Sequence, residues 1–381
     1  MRKLLNVAFA LLAMTLVACG GDEPTPEPTP TPNPEEQENK LYPDELYPAV
    51  DGRVVVSYVT YYGSSVPDVK YMTHINYAFA ELYVVDGVYQ CFKLQGKESR
   101  FKQIVDLKKK KPSLKILLSF THGVSNSDNA QGGGFSAMAK SDTYRKAFAK
   151  DCLDFCKKWG IDGIDIDWEF PGLSWSGHAC DPEVDVENHV LLMKQLRETL
   201  GSRYMLTYAG YVKDVTSVSG GRRFIDIAAV DPYVDFVNVM TYDMDEAPNH
   251  QSALRDKSAY YDCERAIKSY TDAGVSPSKL VLGIPFYGRH SFDSSPSAID
   301  YNKIILLDRN DYKIDNWDSN ASVPYVTYKG AYYCGYDNPK SIAIKGDWLR
   351  GLGMKGMMYW DYNGDDSQHT LSKAVWQATM K

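Results

Sequence analysis

From about residue 50 the chain repeats one pattern: a short run of β-branched or aromatic residues, then a stretch whose apolar residues recur every three or four positions. Eight runs read as strands: Arg53–Tyr58, His74–Phe79, Lys115–Phe120, Gly163–Glu169, Met205–Ala209, Phe236–Tyr242, Leu280–Pro285 and Gly356–Trp360. Most are apolar on both sides, as parallel strands covered by helices should be. The intervals read as helices. In one, Ser141 is placed to cap the start, Phe148, Cys152, Phe155 and Trp159 recur on one face, and Gly160 ends it. A later one carries Leu192, Met193, Leu196 and Leu200 and stops at Gly201.

Eight strand–helix units predict an α/β protein of the (β/α)8 TIM barrel type. An open doubly wound sheet is the alternative, but no glycine-rich phosphate loop follows a strand, and Gly132-Gly133-Gly134 does not stand in that position. The interval between strands seven and eight is too long for a helix and two loops. Its segment 290–335, rich in Tyr, Asp and Asn, is expected to be a small insertion on the top face. Tyr325, Tyr328, Tyr332, Tyr333 and Tyr336 either line a groove there or form the insertion's own core.

The first residues follow a different pattern. Arg2 and Lys3 precede an apolar run, Leu4 to Val17, that is too short to span a bilayer and matches a signal peptide. The run ends Leu16-Val17-Ala18-Cys19, which resembles a bacterial lipoprotein box with Cys19 as the lipidated residue; cleavage near Ala18 as an ordinary signal peptide is the alternative. Residues 22–40 alternate proline and carboxylate with no apolar face and should form an extended tether. The chain thus divides into a leader (1–18), a lipidated cysteine and tether (19–46) and a barrel (47–381). The resemblance to lipoproteins implies attachment to the outer membrane by the lipid alone, with the barrel displayed on the cell surface.

Composition removes some functions. A formal net charge of −7 argues against nucleic acid. Six cysteines remain after Cys19, with no CxxC pair and no HExxH, and the 7 His are scattered, so neither a cofactor nor a catalytic metal is expected. The 28 Tyr suit a ligand that stacks on rings, such as a sugar, although extra core aromatics would account for them as well. No oligomer interface is suggested, and a monomer is the expectation.

The fourth strand carries the candidate chemistry. It reads Asp162-Gly-Ile-Asp-Ile-Asp-Trp-Glu169. Alternate side chains share a face, so Asp165, Asp167 and Glu169 line one side of the strand, while Ile164 and Ile166 face the helices. Closely packed acids cannot all ionise, so at least one pKa must rise. Glu169 stands at the C-terminal end, where barrel active sites form, and a raised pKa there suits a general acid. Asp162 reads as structural.

This strand, followed by Phe170-Pro171-Gly172, resembles the signature of family 18 glycoside hydrolases of the chitinase type. His74-Ile-Asn-Tyr-Ala-Phe79, Val239-Met-Thr-Tyr-Asp243, Gly283-Ile-Pro-Phe-Tyr-Gly-Arg289 and Met358-Tyr-Trp360 extend the likeness in order along the barrel. The resemblance implies substrate-assisted hydrolysis next to N-acetylglucosamine. Glu169 would be the acid and then the base, Asp167 would hold the acetamido N–H, Asp165 would share a proton with Asp167, and Tyr242 would aim the acetamido oxygen. Trp360 would floor the sugar and Met240 would pack near it. Asp243 would reach a hydroxyl, while Tyr58 and Ser119 would support the acids. Arg289 would touch substrate or form a salt bridge under the insertion, and Trp175 and His178 would meet neighbouring sugars. Thr121 and His122 stand where the family usually has glycines, which should change the groove. The implied substrate is chitin or chitooligosaccharide. The alternatives are the chitobiose core of N-glycans, cut by an endo-β-N-acetylglucosaminidase, and a catalytically silent sugar-binding protein.

Overall fold

The computed structural model describes residues 41–43, 45–129, 134–173, 178–213, 216–218, 221–256 and 258–381. The leader, Cys19, the tether up to residue 40 and Trp175 lie outside the described residues.

Sixteen strands are described, numbered in chain order: β1 Val54–Thr60, β2 His74–Val85, β3 Val88–Leu94, β4 Lys115–Thr121, β5 Gly163–Asp167, β6 Met205–Gly210, β7 Thr216–Val218, β8 Gly221–Arg223, β9 Phe236–Val239, β10 Leu280–Pro285, β11 Tyr287–Arg289, β12 Ala298–Asp300, β13 Tyr312–Asp318, β14 Val323–Tyr328, β15 Ala331–Gly335 and β16 Gly356–Trp360. Eight of them pair in parallel in the order β1-β16-β10-β9-β6-β5-β4-β2, and β1 also pairs with β2, so the sheet closes. Helices cover the outside, and the molecule is a (β/α)8 barrel. All eight expected strands are present. β5 and β9 are shorter than the sequence suggested, ending at Asp167 and Val239, because Glu169 and Tyr242 already belong to the turns above the barrel.

Alternation within each strand builds two cores. Ile164 and Ile166 of β5, with Val55 and Val59 of β1, point outward into the layer shared with the helices. Val54, Val56, Tyr58, Phe236, Val281 and Met358 point inward and fill the barrel. The helix Asp142–Trp159 forms as its sequence requires. Ser141 accepts the Tyr144 N–H at 3.4 Å, Phe148 and Cys152 are fully buried, and Gly160 ends the helix at φ 65°. The helix Asp185–Leu200 buries Leu192, Met193, Leu196 and Leu200 and stops at Gly201. Asp162 is structural: it accepts the Ile116 N–H at 2.9 Å and pairs with Lys108 and Lys115, tying β5 to the start of β4.

Two departures come from outside the barrel. β2 runs past the barrel rim and folds back as the antiparallel β3, through a two-residue turn in which Asp86 and Gly87 both have positive φ (49° and 76°). The insertion begins at Tyr287, earlier than expected, and is a five-stranded sheet in the order β12-β11-β15-β14-β13. Its tyrosines mostly pack on each other and on the junction with the barrel. Tyr325 and Tyr332 stack at 5.2 Å, Tyr333 stacks on His290, and Tyr336 is buried with its hydroxyl on the Ile314 carbonyl.

At the other end, Gln377 of the C-terminal helix Thr370–Met380 accepts the Tyr47 N–H and donates to the carbonyls of Pro43 and Glu45. The six cysteines from Cys91 onward are free thiols.

Candidate active site

β5 delivers its acids to the inside of the barrel in two very different environments. Asp165 is fully buried and accepts four hydrogen bonds from four strands: Tyr58 Oη of β1 (2.8 Å), Ser119 Oγ of β4 (2.7 Å), Thr207 Oγ1 of β6 (2.6 Å) and Asn238 Nδ2 of β9 (3.3 Å). Burial raises its pKa, and the donors oppose that rise. Tyr58 and Ser119 therefore support the acids through Asp165. Thr207 and Asn238, not singled out from the sequence, complete the set. Their signal was a polar residue inside an otherwise apolar strand. Thr207 is also the direct cross-strand neighbour of Asp165.

Asp167, one turn of the pleat higher, is buried without that support. Its Oδ1 has no hydrogen-bond partner among the described residues. Burial first, then the carboxylates of Glu169 and Asp165, push its pKa well above the usual range. Glu169 stands two residues beyond the end of β5, half-buried. Burial, followed by the nearby Asp243 charge, pushes its carboxyl up to about 7.

These two acids open into a cavity of about 960 Å³ that is also lined by Tyr58, Phe79, Met240, Tyr242, Asp243 and Trp360. Trp360, the last residue of β16, stacks on Phe79 at 5.5 Å and 21° and leans on Tyr58 at 5.5 Å. Tyr242 is buried, with its hydroxyl 3.8 Å from Met358 Sδ. Asp243 is held at φ 52° and takes a two-pronged ion pair from Arg289, both contacts at 2.8 Å, and Arg289 also donates to Ser297 Oγ at 3.0 Å. The Arg289 guanidinium is thus engaged by a salt bridge under the insertion, though it borders a second hollow of about 450 Å³. That hollow shares Trp360, Asp243 and Tyr287 with the first and adds Tyr62, Asp361 and Asn363, so the groove continues past Trp360.

The far wall holds residues the sequence reading missed: Tyr211, Tyr261, Met244 and Phe292. They come from four separate segments, and only the fold assembles them. Thr121 lines the cavity as expected. His122 does not: its ring turns behind the acid, with Nδ1 3.4 Å from the Glu169 N–H and the His178 ring 5.2 Å away. None of the five insertion tyrosines lines either hollow. Among the described residues, no three His, Cys, Asp or Glu side chains gather as a metal site.

Chemically, the site offers a proton donor poised near neutrality, a buried acid with an unmet oxygen, a phenol and an indole floor. That set can hold a sugar ring and protonate the bond beside it.

The comparisons with known proteins agree. The chain is 29% identical to the class V chitinase CHIT5 of Lotus japonicus over 345 residues, 82% of each protein. It superposes on a family 18 N-acetylglucosaminidase from Paenibacillus barengoltzii with a TM-score of 0.71 at 28% identity, covering 86% of this chain and 99% of that one. A Group IV chitinase of Ostrinia furnacalis, solved in complex with allosamidin, gives a TM-score of 0.71 at 25% identity, covering 86% of this chain and 98% of that one. The family model of the glycosyl hydrolases family 18 matches residues 54–365, and the chain belongs to that family as a chitinase-like glycosidase.

Proposed function

We propose that this glycosidase hydrolyses β-1,4 bonds of chitin and chitooligosaccharides, with the substrate's own 2-acetamido group as nucleophile. The observation that carries the reading is the unpartnered Oδ1 of Asp167 inside the cavity, two residues from a carboxyl poised at about 7. A buried oxygen without a donor is costly, and an amide N–H is the donor it lacks. The names of the relatives support the polymer, and a groove that runs on past Trp360 has room for more than one sugar.

Trp360 carries the sugar face, and Tyr242 Oη donates to the acetamido carbonyl and aims it at the anomeric carbon. Glu169 gives its proton to the glycosidic oxygen. As that bond breaks, the carbonyl oxygen bonds to the anomeric carbon and forms an oxazolinium ion. Asp165 takes up the proton of Asp167, which then faces the acetamido N–H as a carboxylate and balances the positive charge. The Glu169 carboxylate next deprotonates a water that attacks the anomeric carbon, reopening the ring with the starting configuration retained. No protein atom bonds to the sugar.

The test offers chitooligosaccharides and high-mannose and complex N-glycoproteins side by side and identifies products by mass. Cleavage of the oligosaccharides is expected. Release of N-glycans with the oligosaccharides left whole would replace this reading by that of an endo-β-N-acetylglucosaminidase.

A further inference from the structure

We infer that His122 is a positioning residue: its imidazole accepts the backbone N–H of Glu169 and fixes the turn from which the acid is aimed. The inference rests on Glu169 being the proton donor and adds what holds it.

Three observations meet at this contact. The first is topological. β4 and β5 run in register up to the pair Thr121↔Asp167, where β5 ends. Glu169 lies beyond the ladder, so no neighbouring strand takes its N–H, and a backbone donor in so enclosed a place needs an acceptor. The residue after Thr121 is the nearest candidate on the adjacent strand, and His122 Nδ1 is 3.4 Å from that nitrogen.

The second is the state of the ring. Burial, and after it the neighbouring His178, push the His122 pKa down to about 4, against a hydrogen bond to the Asp167 backbone that raises it. At neutral pH the imidazole is uncharged, so Nδ1 can carry a lone pair, with the ring proton on Nε2. A glycine at this position would offer no acceptor.

The third is that the loop bearing His122 is itself anchored. Glu81 of β2 is fully buried and accepts the N–H groups of Ser125 (2.7 Å) and Asn126 (3.3 Å), Asn129 Nδ2 (3.1 Å) and Gln95 Nε2 (2.7 Å). Gln95 Nε2 also reaches the Gly123 carbonyl at 2.9 Å. These donors outweigh burial and hold the Glu81 carboxyl below its ordinary range. Glu81 thus holds Ser125, Asn126 and Asn129, and Gln95 holds Gly123, so the loop that follows His122 is tied to β2.

The experiment measures steady-state hydrolysis of a chitooligosaccharide by the full chain carrying His122→Gly, His122→Leu or His122→Asn, with circular dichroism as the check on folding. Leucine fills the space without an acceptor, whereas the asparagine Oδ1 stands about where Nδ1 was. Glycine and leucine should lower kcat by roughly tenfold or more with KM kept within about twofold, because a misaimed donor is felt in the chemical step and not in sugar binding. Asparagine should recover most of kcat. A folded leucine variant within about twofold of the wild-type kcat, or an asparagine variant as slow as the leucine one, overturns the inference. Turnover by Glu169→Gln would overturn this inference and the reading it rests on together, because the donor would then lie elsewhere.

Discussion

Burial and the Asp243 charge set the chemistry of Glu169. That raised carboxyl stays protonated through the acidic range and ionises as pH passes about 7. A donor must carry its proton, so kcat/KM should hold below that pH and fall above it. Asp243→Asn removes the negative neighbour and should move the falling limb to lower pH. Arg289→Met strips Asp243 of its counter-ion and should move the limb to higher pH. Identical profiles for all three proteins would show that Asp243 does not govern the acid. The same shift has a cost in stability: the folded pKa lies above the unfolded one, so the protonated acid favours folding at low pH, and that gain is lost as pH rises through about 7. Glu169→Gln should therefore abolish turnover while lessening the fall in Tm between pH 5 and pH 8, as read by calorimetry. Asp167→Asn keeps the shape but cannot become the anion beside the acetamido group, and its kcat should drop by about 100-fold or more in the same assay.

At the scale of elements, neighbouring barrel strands approach closely enough in places to require glycine, and Gly356 stands at one of them. A methyl at Gly356, where β16 meets β1, would sit on the Val54 carbonyl oxygen. Backbone cannot yield there as a flexible side chain would, so Gly356→Ala should cost about 2–3 kcal/mol or more in denaturant unfolding. A loss below about 0.5 kcal/mol would show that the seam can open. The row Asp165, Asp167 and Glu169 was legible from sequence because a strand's two-residue period is local information. The four donors on Asp165 were only half legible: Tyr58 and Ser119 followed from the family resemblance, whereas Thr207 and Asn238 depend on register between strands far apart in sequence. The β2–β3 hairpin carried its own signal, Asp86-Gly87 between two apolar runs, and was passed over because the helical interval was expected at once. The insertion's tyrosines could not be sorted into groove or core, since a ring exposed to sugar and a ring stacked on its neighbour obey the same composition.

For the whole molecule, the groove has an aromatic floor at Trp360 and composite walls. One side comes from the barrel's own turns, the other from Tyr287, Arg289 and Phe292 at the base of the insertion. The leader adds a further proposal, attachment by a lipid on Cys19. Cys19→Ser should move the enzyme from the membrane fraction to the soluble one without changing its activity per molecule; a membrane-bound serine variant would refute the anchor. The unmet oxygen of Asp167 reaches furthest of all these features, because under the proposed mechanism it would make the enzyme a reader of acetylation. On a partially deacetylated polymer, every cut should leave an acetylated unit at the new reducing end, while bonds following a bare glucosamine stay whole. The fragments would then report the pattern of the parent chain, and mass spectrometry of end-labelled products would show it.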